Sequence, residues 1–140
     1  MNKLHERILA SFNGQTLMTT LGASLVFVGD GEVHIALPFS THLSQQRGYV
    51  HAGAITSVVD SACGYAAMTK VPEDADVVTA EFKINFMRPA LGERFLAVGR
   101  VQSAGRLLSV CTGEARAFTG PGADYKLVAL MQATVVTIPG

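Results

Sequence analysis

The sequence predicts an α+β fold in which one long buried helix lies across a mostly antiparallel sheet. Three observations point to it. Residues 52–69 form the longest apolar stretch and carry small or apolar side chains on nearly every face, the pattern of a buried helix. The segments that follow read as strands separated by short turns, so hairpins dominate there. Two strands ahead of the helix meet at Gly29-Asp30-Gly31, a tight-turn signal.

Each element follows from local pattern. Asn2 can cap a first helix whose Leu4, Ile8 and Phe12 share one face, and Asn13-Gly14 stops it. Residues 23–29 and 32–38 are the first two strands. Residues 39–49 are polar and turn-like, and hold His42, Gln45, Gln46 and Arg47. The long helix ends before Pro72-Glu73-Asp74. Residues 77–88 alternate, placing Val78, Ala80, Phe82, Ile84 and Phe86 on one face and Thr79, Glu81, Lys83 and Asn85 on the other. Strands at 93–103 and 106–119 join around Ala104-Gly105, and 126–138 closes the sheet after Gly120-Pro121-Gly122. The 140 residues are expected to form a single domain, 1–140. A helix apolar all round needs a cover on its outer side, either the curving sheet or a second subunit.

Composition excludes several function classes. Eleven basic residues balance eleven acidic ones, so no net field draws nucleic acid or an anionic membrane. The chain is 49% hydrophobic and 16% charged, with mean hydropathy +0.31, which points to a homo-oligomer. The long apolar helix is short for a membrane span and is interrupted by a charge. Cys63 and Cys111 lack metal or redox spacing, and the opening heptad lacks a signal-peptide core, so a cytoplasmic protein is expected. His5, His34, His42 and His51 have no metal-ligand spacing, and no nucleophile elbow or phosphate loop is present. No metal or other cofactor is expected.

The candidate chemistry centres on Asp60, the one charged residue of the long helix. A buried carboxylate is costly unless hydrogen-bonded or used. Thr56 and Ser57, at i−4 and i−3, can share its face. Asp60 is therefore either a structural aspartate held by such hydroxyls or a general base or nucleophile. Nine residues earlier, His51 precedes the helix start. The first-turn N–H groups there lack intrahelical partners and lie at the positive end of the dipole, which suits an oxygen gaining charge. Ala52 and Gly53 are small enough for a ligand to approach that backbone. Gln45 and Gln46 can hold a water or carbonyl, and Thr79 can bond a carboxylate. Tyr65, with Met68, Phe82 and Phe86, can line an acyl pocket or serve as core; Arg88, Arg106 and Arg47 can meet phosphates or simply be solvated.

The run Gln45-x-x-Gly48-x-x-His51-Ala52-Gly53, followed by Asp60, resembles the hotdog-fold acyl-CoA thioesterases, nearest to the PaaI-like branch of the phenylacetate pathway. Leu21-Gly22, Val78-Thr79, Asn85-Phe86-Met87-Arg88-Pro89-Ala90 and Gly105-Arg106 extend the resemblance along nearly the whole chain. It implies a curved antiparallel sheet wrapped around the long helix, a homodimer or dimer of dimers, and sites between subunits. It implies hydrolysis of acyl-CoA to acid and CoA, with Asp60 as nucleophile or general base. The Ala52 N–H would polarise the thioester carbonyl, Gln45 would place water or substrate, and His51 would support the turn. Thr79 would stand near the carboxylate, and Gly53, Ser57, Tyr65 and Arg88 would contact substrate. The chain departs from the family pattern at Gln45, where asparagine is usual, and at Ala52, where glycine is usual. Those departures keep open an acyl-CoA-binding module with little turnover and, more remotely, a hydratase on the same fold.

Overall fold

A computed structural model describes residues 2–140. Helix α1 (Lys3–Gly14) starts at Asn2, whose side chain accepts from the His5 N–H at 2.8 Å, and it buries Ile8 and Phe12 as the spacing predicts. A short second helix, α2 (Thr16–Leu21), follows and was not predicted. Its six residues are too few to show a period, and its stop is Gly22, at φ 76°. Strands β1 (Ser24–Gly29) and β2 (Glu32–Pro38) form the first hairpin, with Gly31 at φ 76° in the turn. A 3-10 turn over Thr41–Leu43 interrupts the polar loop. Then come α3 (Ala52–Met68), β3 (Ala75–Phe86), β4 (Arg94–Ala104), β5 (Leu108–Phe118) and β6 (Tyr125–Pro139).

The six strands form one sheet in the order β1-β2-β4-β5-β6-β3, and every pairing is antiparallel. Helix α3 packs against β2, β3, β4, β5 and β6, so the sheet wraps it. The core between them holds Val33, Ile35 and Leu37 from β2, and Ile55, Val58, Val59 and Ala62 from α3. Two glycines let the layers approach. A Cβ on Gly99 would overlap the Ala62 carbonyl and lie 2.6 Å from the Cys63 nitrogen. A Cβ on Gly113 would lie 2.6 Å from Val59 Cγ1 and 2.8 Å from Cys63 Sγ.

The helix is not buried all round. Thr56, Ser57, Asp60, Ser61 and Gly64 recur at helical spacing and form a half-buried stripe that the chain's own sheet leaves partly open. Arg7 fixes the far end of the helix. Its guanidinium donates to the carbonyls of Met68, Val71, Pro72 and Ala75 at 2.8–3.3 Å. A cation there meets the negative end of the helix dipole and the carbonyls that the helix leaves unpaired.

The alternation expected in β3 is corrected by a β-bulge. Thr79 pairs with Val135, but Glu81 pairs with Thr134 and Phe82 with Ala133, so Ala80 is an extra residue. Cross-strand partners share a face, and Val135, Ala133, Met131 and Ala129 are all buried. Val77 and Thr79 therefore face the helix together with Phe82, Ile84 and Phe86, while Val78 faces away. A strict period of two puts Thr79 on the wrong side of the sheet.

Gly99→Ala is expected to destabilise the protein by about 1–3 kcal/mol, because helix backbone rather than a movable side chain occupies the space its methyl needs. Urea unfolding monitored by circular dichroism measures this, with a lowered midpoint at unchanged slope as the expected result.

Candidate active site

The bulge turns Thr79 toward α3, where its hydroxyl donates to Asp60 Oδ1 at 2.8 Å. Among the described residues no other hydrogen bond reaches this carboxylate, so Oδ2 is left for a ligand or water. Thr56 and Ser57 do not hold Asp60. Their hydroxyls donate at 2.8 Å to the carbonyls of Ala52 and Gly53, one turn back, as helical Ser and Thr commonly do.

The start of α3 forms a second centre. The loop before it turns at Gly48, at φ 84°, closed by Gln45 N–H on the Tyr49 carbonyl (2.8 Å) and Gly48 N–H on the Gln45 carbonyl (3.0 Å). His51 N–H donates to the Leu43 carbonyl at 2.7 Å, fixing where the helix begins. The His51 ring then caps the helix, with Nδ1 accepting from the Gly53 N–H at 2.8 Å. An accepting Nδ1 requires the neutral ring with its proton on Nε2. Gly53 serves this cap directly, since a Cβ there would lie 3.0 Å from Nδ1. The Ala52 N–H donates to no atom among the described residues.

Ala52 borders a depression of about 610 Å³ whose lining also includes Gln45, Tyr49, His51, Phe86 and Arg88. Its size is that of a small-molecule site. The Gln45 side-chain carbonyl is engaged with the Arg47 N–H, so its amide nitrogen is the group left to act. Gln46, read from sequence beside Gln45 as able to hold a water or a carbonyl, lines this space too; Tyr49 and Met87 also line it and were given no role from sequence, and for Met87 the Asn85–Ala90 run was the available signal.

The structure thus brings Gln45, His51, Ala52 and Arg88 together, and Asp60 with Thr79, but keeps the two groups apart. Eight residues of helix separate Ala52 from Asp60, a rise of about 12 Å. Ser57 lies between them on the half-open stripe. Tyr65 belongs to neither group. It is 6% exposed, its ring centroid is 6.1 Å from that of Phe12, and its hydroxyl bonds Ser11 and Gln15 at 3.2 and 3.0 Å. Gln15 also accepts from Ser61, so Tyr65 is a core residue that docks α1 onto α3 rather than a pocket wall.

The cysteines take no part. Both are free and fully buried, and burial raises both thiol pKa values, that of Cys111 to about 11. No helix among the described residues is long and apolar enough to cross a membrane. An aromatic disulfide reagent at pH 8 is therefore expected to leave Cys63 and Cys111 unmodified in the native protein and to label both after denaturation. Mass spectrometry of the two samples reads the difference.

Comparison with known proteins supplies the family. The model of the thioesterase superfamily matches residues 47–122, which contain both centres except Gln45. A solved thioesterase family protein from Silicibacter pomeroyi is 41% identical, with a TM-score of 0.94 over 98% of this chain and 99% of that one. A conserved protein from Pseudomonas aeruginosa is 31% identical, with a TM-score of 0.81 over 95% and 98%. The Escherichia coli PaaI protein of the phenylacetic acid degradation operon, 20% identical with a TM-score of 0.85 over 99% and 95%, shares the fold. An inferred esterase of Halobacterium salinarum is 30% identical over 82 residues, 55% of this chain and 54% of the relative. Another, of Saccharolobus solfataricus, is 31% identical over 90 residues, 64% of each. The match thus spans between half and two thirds of these curated relatives' length. With its six-stranded antiparallel sheet wrapped around α3, this chain belongs to the thioesterase superfamily and has its hotdog fold.

Proposed function

We propose that the protein hydrolyses the thioester of an acyl- or aryl-CoA at sites shared between two copies of the chain. The supporting observation is the separation of the two centres. A carbonyl under attack needs its nucleophile and its oxyanion donor each within about 3 Å of neighbouring atoms. The Ala52 N–H and Asp60 of one chain lie several times farther apart, so one chain cannot supply both.

The free edge of the sheet offers the way to join them. Strand β3 has no partner on its outer side among the described residues, is twelve residues long, and leaves Val78, Phe82 and Phe86 47%, 42% and 40% exposed. Such an edge invites pairing with another chain. Within one chain, Thr79 marks the Asp60 centre and Phe86 lines the Ala52 centre. Antiparallel self-pairing of β3 about Lys83 would set the Thr79–Ala80 bulge of one copy opposite Phe86 of the other. Asp60 of each copy would then face the Ala52 centre of its neighbour.

In this reading the thioester carbonyl oxygen accepts from the Ala52 N–H, aided by the positive end of α3. Asp60, oriented by Thr79, attacks the acyl carbon or takes a proton from the water that does. His51 directs Nε2–H toward the developing thiolate, and the Gln45 amide helps place water or substrate. Ser57 and Gly53 border the path between the centres, and Arg88 meets the CoA arm. The engagement of Gln45 with its own loop favours a second reading, an acyl-CoA-binding module. Tight binding without thiol release across short, medium, long and aryl acyl-CoAs would select it.

Asp60→Asn is expected to lower kcat by at least about 100-fold without changing the fold or the oligomer. Full activity in that variant would remove Asp60 from the reaction. Ala52→Pro tests the donor cleanly. Proline is well tolerated at the first helical position, and His51, at φ −59° and ψ 137°, already has the conformation a following proline requires. It should cost about 100-fold in kcat.

Co-expressing the two variants distinguishes a shared site from one confined to a single chain. Mixed dimers would each carry one intact site, restoring up to about a quarter of the activity when half of all dimers are mixed. No recovery despite demonstrated mixed dimers would sink the shared-site arrangement.

A further inference from the structure

Arg7 closes one end of a frame whose other end is the bond between Thr79 and Asp60. Its Nη1 donates to the carbonyls of Met68 and Val71, both at 3.3 Å, and its Nη2 to those of Pro72 and Ala75, at 3.0 and 2.8 Å. Met68 is the last residue of α3, Ala75 is the first of β3, and Val71 and Pro72 lie in the turn between them. One side chain from α1 thus ties together the ends of the two elements that carry Asp60 and Thr79. Asp60 stands eight residues back from Met68, a helix rise of about 12 Å. Thr79 stands four residues on from Ala75, about 13 Å of strand. The two arms match in length, and at their far ends the Thr79 hydroxyl meets Asp60 Oδ1 at 2.8 Å.

The clamp needs arginine. A helix C-terminus favours any cation, but four carbonyls spread over a helix end, a turn and a strand start call for the planar fork of a guanidinium, which a single ammonium does not copy. Arg7 is half-buried and pairs with no carboxylate among the described residues, so its hydrogen bonds there go to these carbonyls alone. A slip of about 1 Å between the two arms is enough to part the Thr79 hydroxyl from the carboxylate. We propose that Arg7 is a positioning residue for the reaction. By fixing where α3 ends against where β3 begins, it holds Thr79 on Asp60 Oδ1 and so aims Oδ2. The proposal rests on the thioesterase reading for the part that Asp60 plays, but the mechanical link from Arg7 to the Thr79–Asp60 bond can be tested without it.

The experiment measures kcat, KM and Tm for the wild type, Arg7→Met, Arg7→Lys, Thr79→Val, the Arg7→Met and Thr79→Val double variant, and Phe12→Leu. Phe12, 6% exposed on the same helix, makes none of the clamp's bonds, so its truncation lowers stability and leaves the clamp whole. Arg7→Met is expected to lower kcat about tenfold with KM changed less than about threefold, since a displaced carboxylate costs rate rather than binding. Arg7→Lys should recover Tm but not kcat. Thr79→Val should lower kcat to a similar extent, and the double variant should be about as slow as the slower single one, because both changes break the same bond. Phe12→Leu should melt lower with kcat within about twofold of the wild type. Unchanged kcat in Arg7→Met, an equal fall in Phe12→Leu, recovery of kcat by Arg7→Lys, or multiplied losses in the double variant overturns the proposal and leaves the hydrolase reading standing. Absence of thiol release from the wild type defeats the hydrolase reading instead. Methyl NMR then decides alone, using Arg7→Lys where Arg7→Met does not fold. A Thr79 methyl signal that moves toward its position in Asp60→Asn upholds the clamp, and a signal that keeps its wild-type position overturns it.

Discussion

The close seating of α3 on the sheet is the constraint on which the rest depends. Its backbone passes β4 so tightly that Gly99 has no room for a Cβ, and its Val59 and Cys63 side chains take that room at Gly113 on β5. That contact sets both the depth of the helix and its rotation. With Ile55, Val58, Val59 and Ala62 committed to the core, the stripe of Thr56, Ser57, Asp60 and Ser61 is turned toward the side the sheet leaves partly open. Arg7 at one end and the His51 cap at the other hold the helix from sliding along its axis. A carboxylate on the central helix is tolerable because this rotation keeps it half-exposed and next to a hydroxyl.

That hydroxyl is available only because β3 breaks its own period. Without the extra residue at Ala80, a strand that presents Phe82, Ile84 and Phe86 to the helix would present Val78 and turn Thr79 away. The bulge lets one edge strand do both jobs, contributing apolar surface near the start of α3 and a hydrogen-bond donor near its middle. Bulges are common at sheet edges and beside active sites for this reason.

Much of this was legible in the sequence, and the remainder was hidden for identifiable reasons. The first hairpin and the central helix could be read because Gly29-Asp30-Gly31 and the long apolar run broken only by Asp60 are strong local signals. Asn2 and the Leu4, Ile8, Phe12 spacing located α1. The bulge could not be read, since Ala80 differs in no local preference from a regular strand residue and only pairing with β6 reveals it. The short α2 lies below the length at which periodicity speaks. Arg7 carries no local signal of its role because its four carbonyl partners lie more than sixty residues away. Asp60, His51 and Ala52 stood out through charge and helix position, but the distance between them follows from helix rise, and the proposed shared site rests on that separation.

The choice of histidine as the cap bears on the chemistry as well as the fold. A serine or aspartate before α3 would satisfy a first-turn N–H equally well. A cap satisfies the second or third N–H and leaves the first one free, so the Ala52 N–H is open by the geometry of capping itself. Histidine adds what the shorter residues lack. Its Nδ1 is fixed as acceptor by the Gly53 N–H, which places the ring proton on Nε2 at the far side of the ring. The cap thus presents two donors, Ala52 N–H and His51 Nε2–H, on one rigid helix start. Gly53 is the residue that permits it, because a methyl there would press on the imidazole and tilt both donors. Two donors and no fixed negative charge make this end of the helix suited to hold a thioester. The carboxylate that would attack such a carbonyl is kept about two turns of helix away, where a second chain can bring one in.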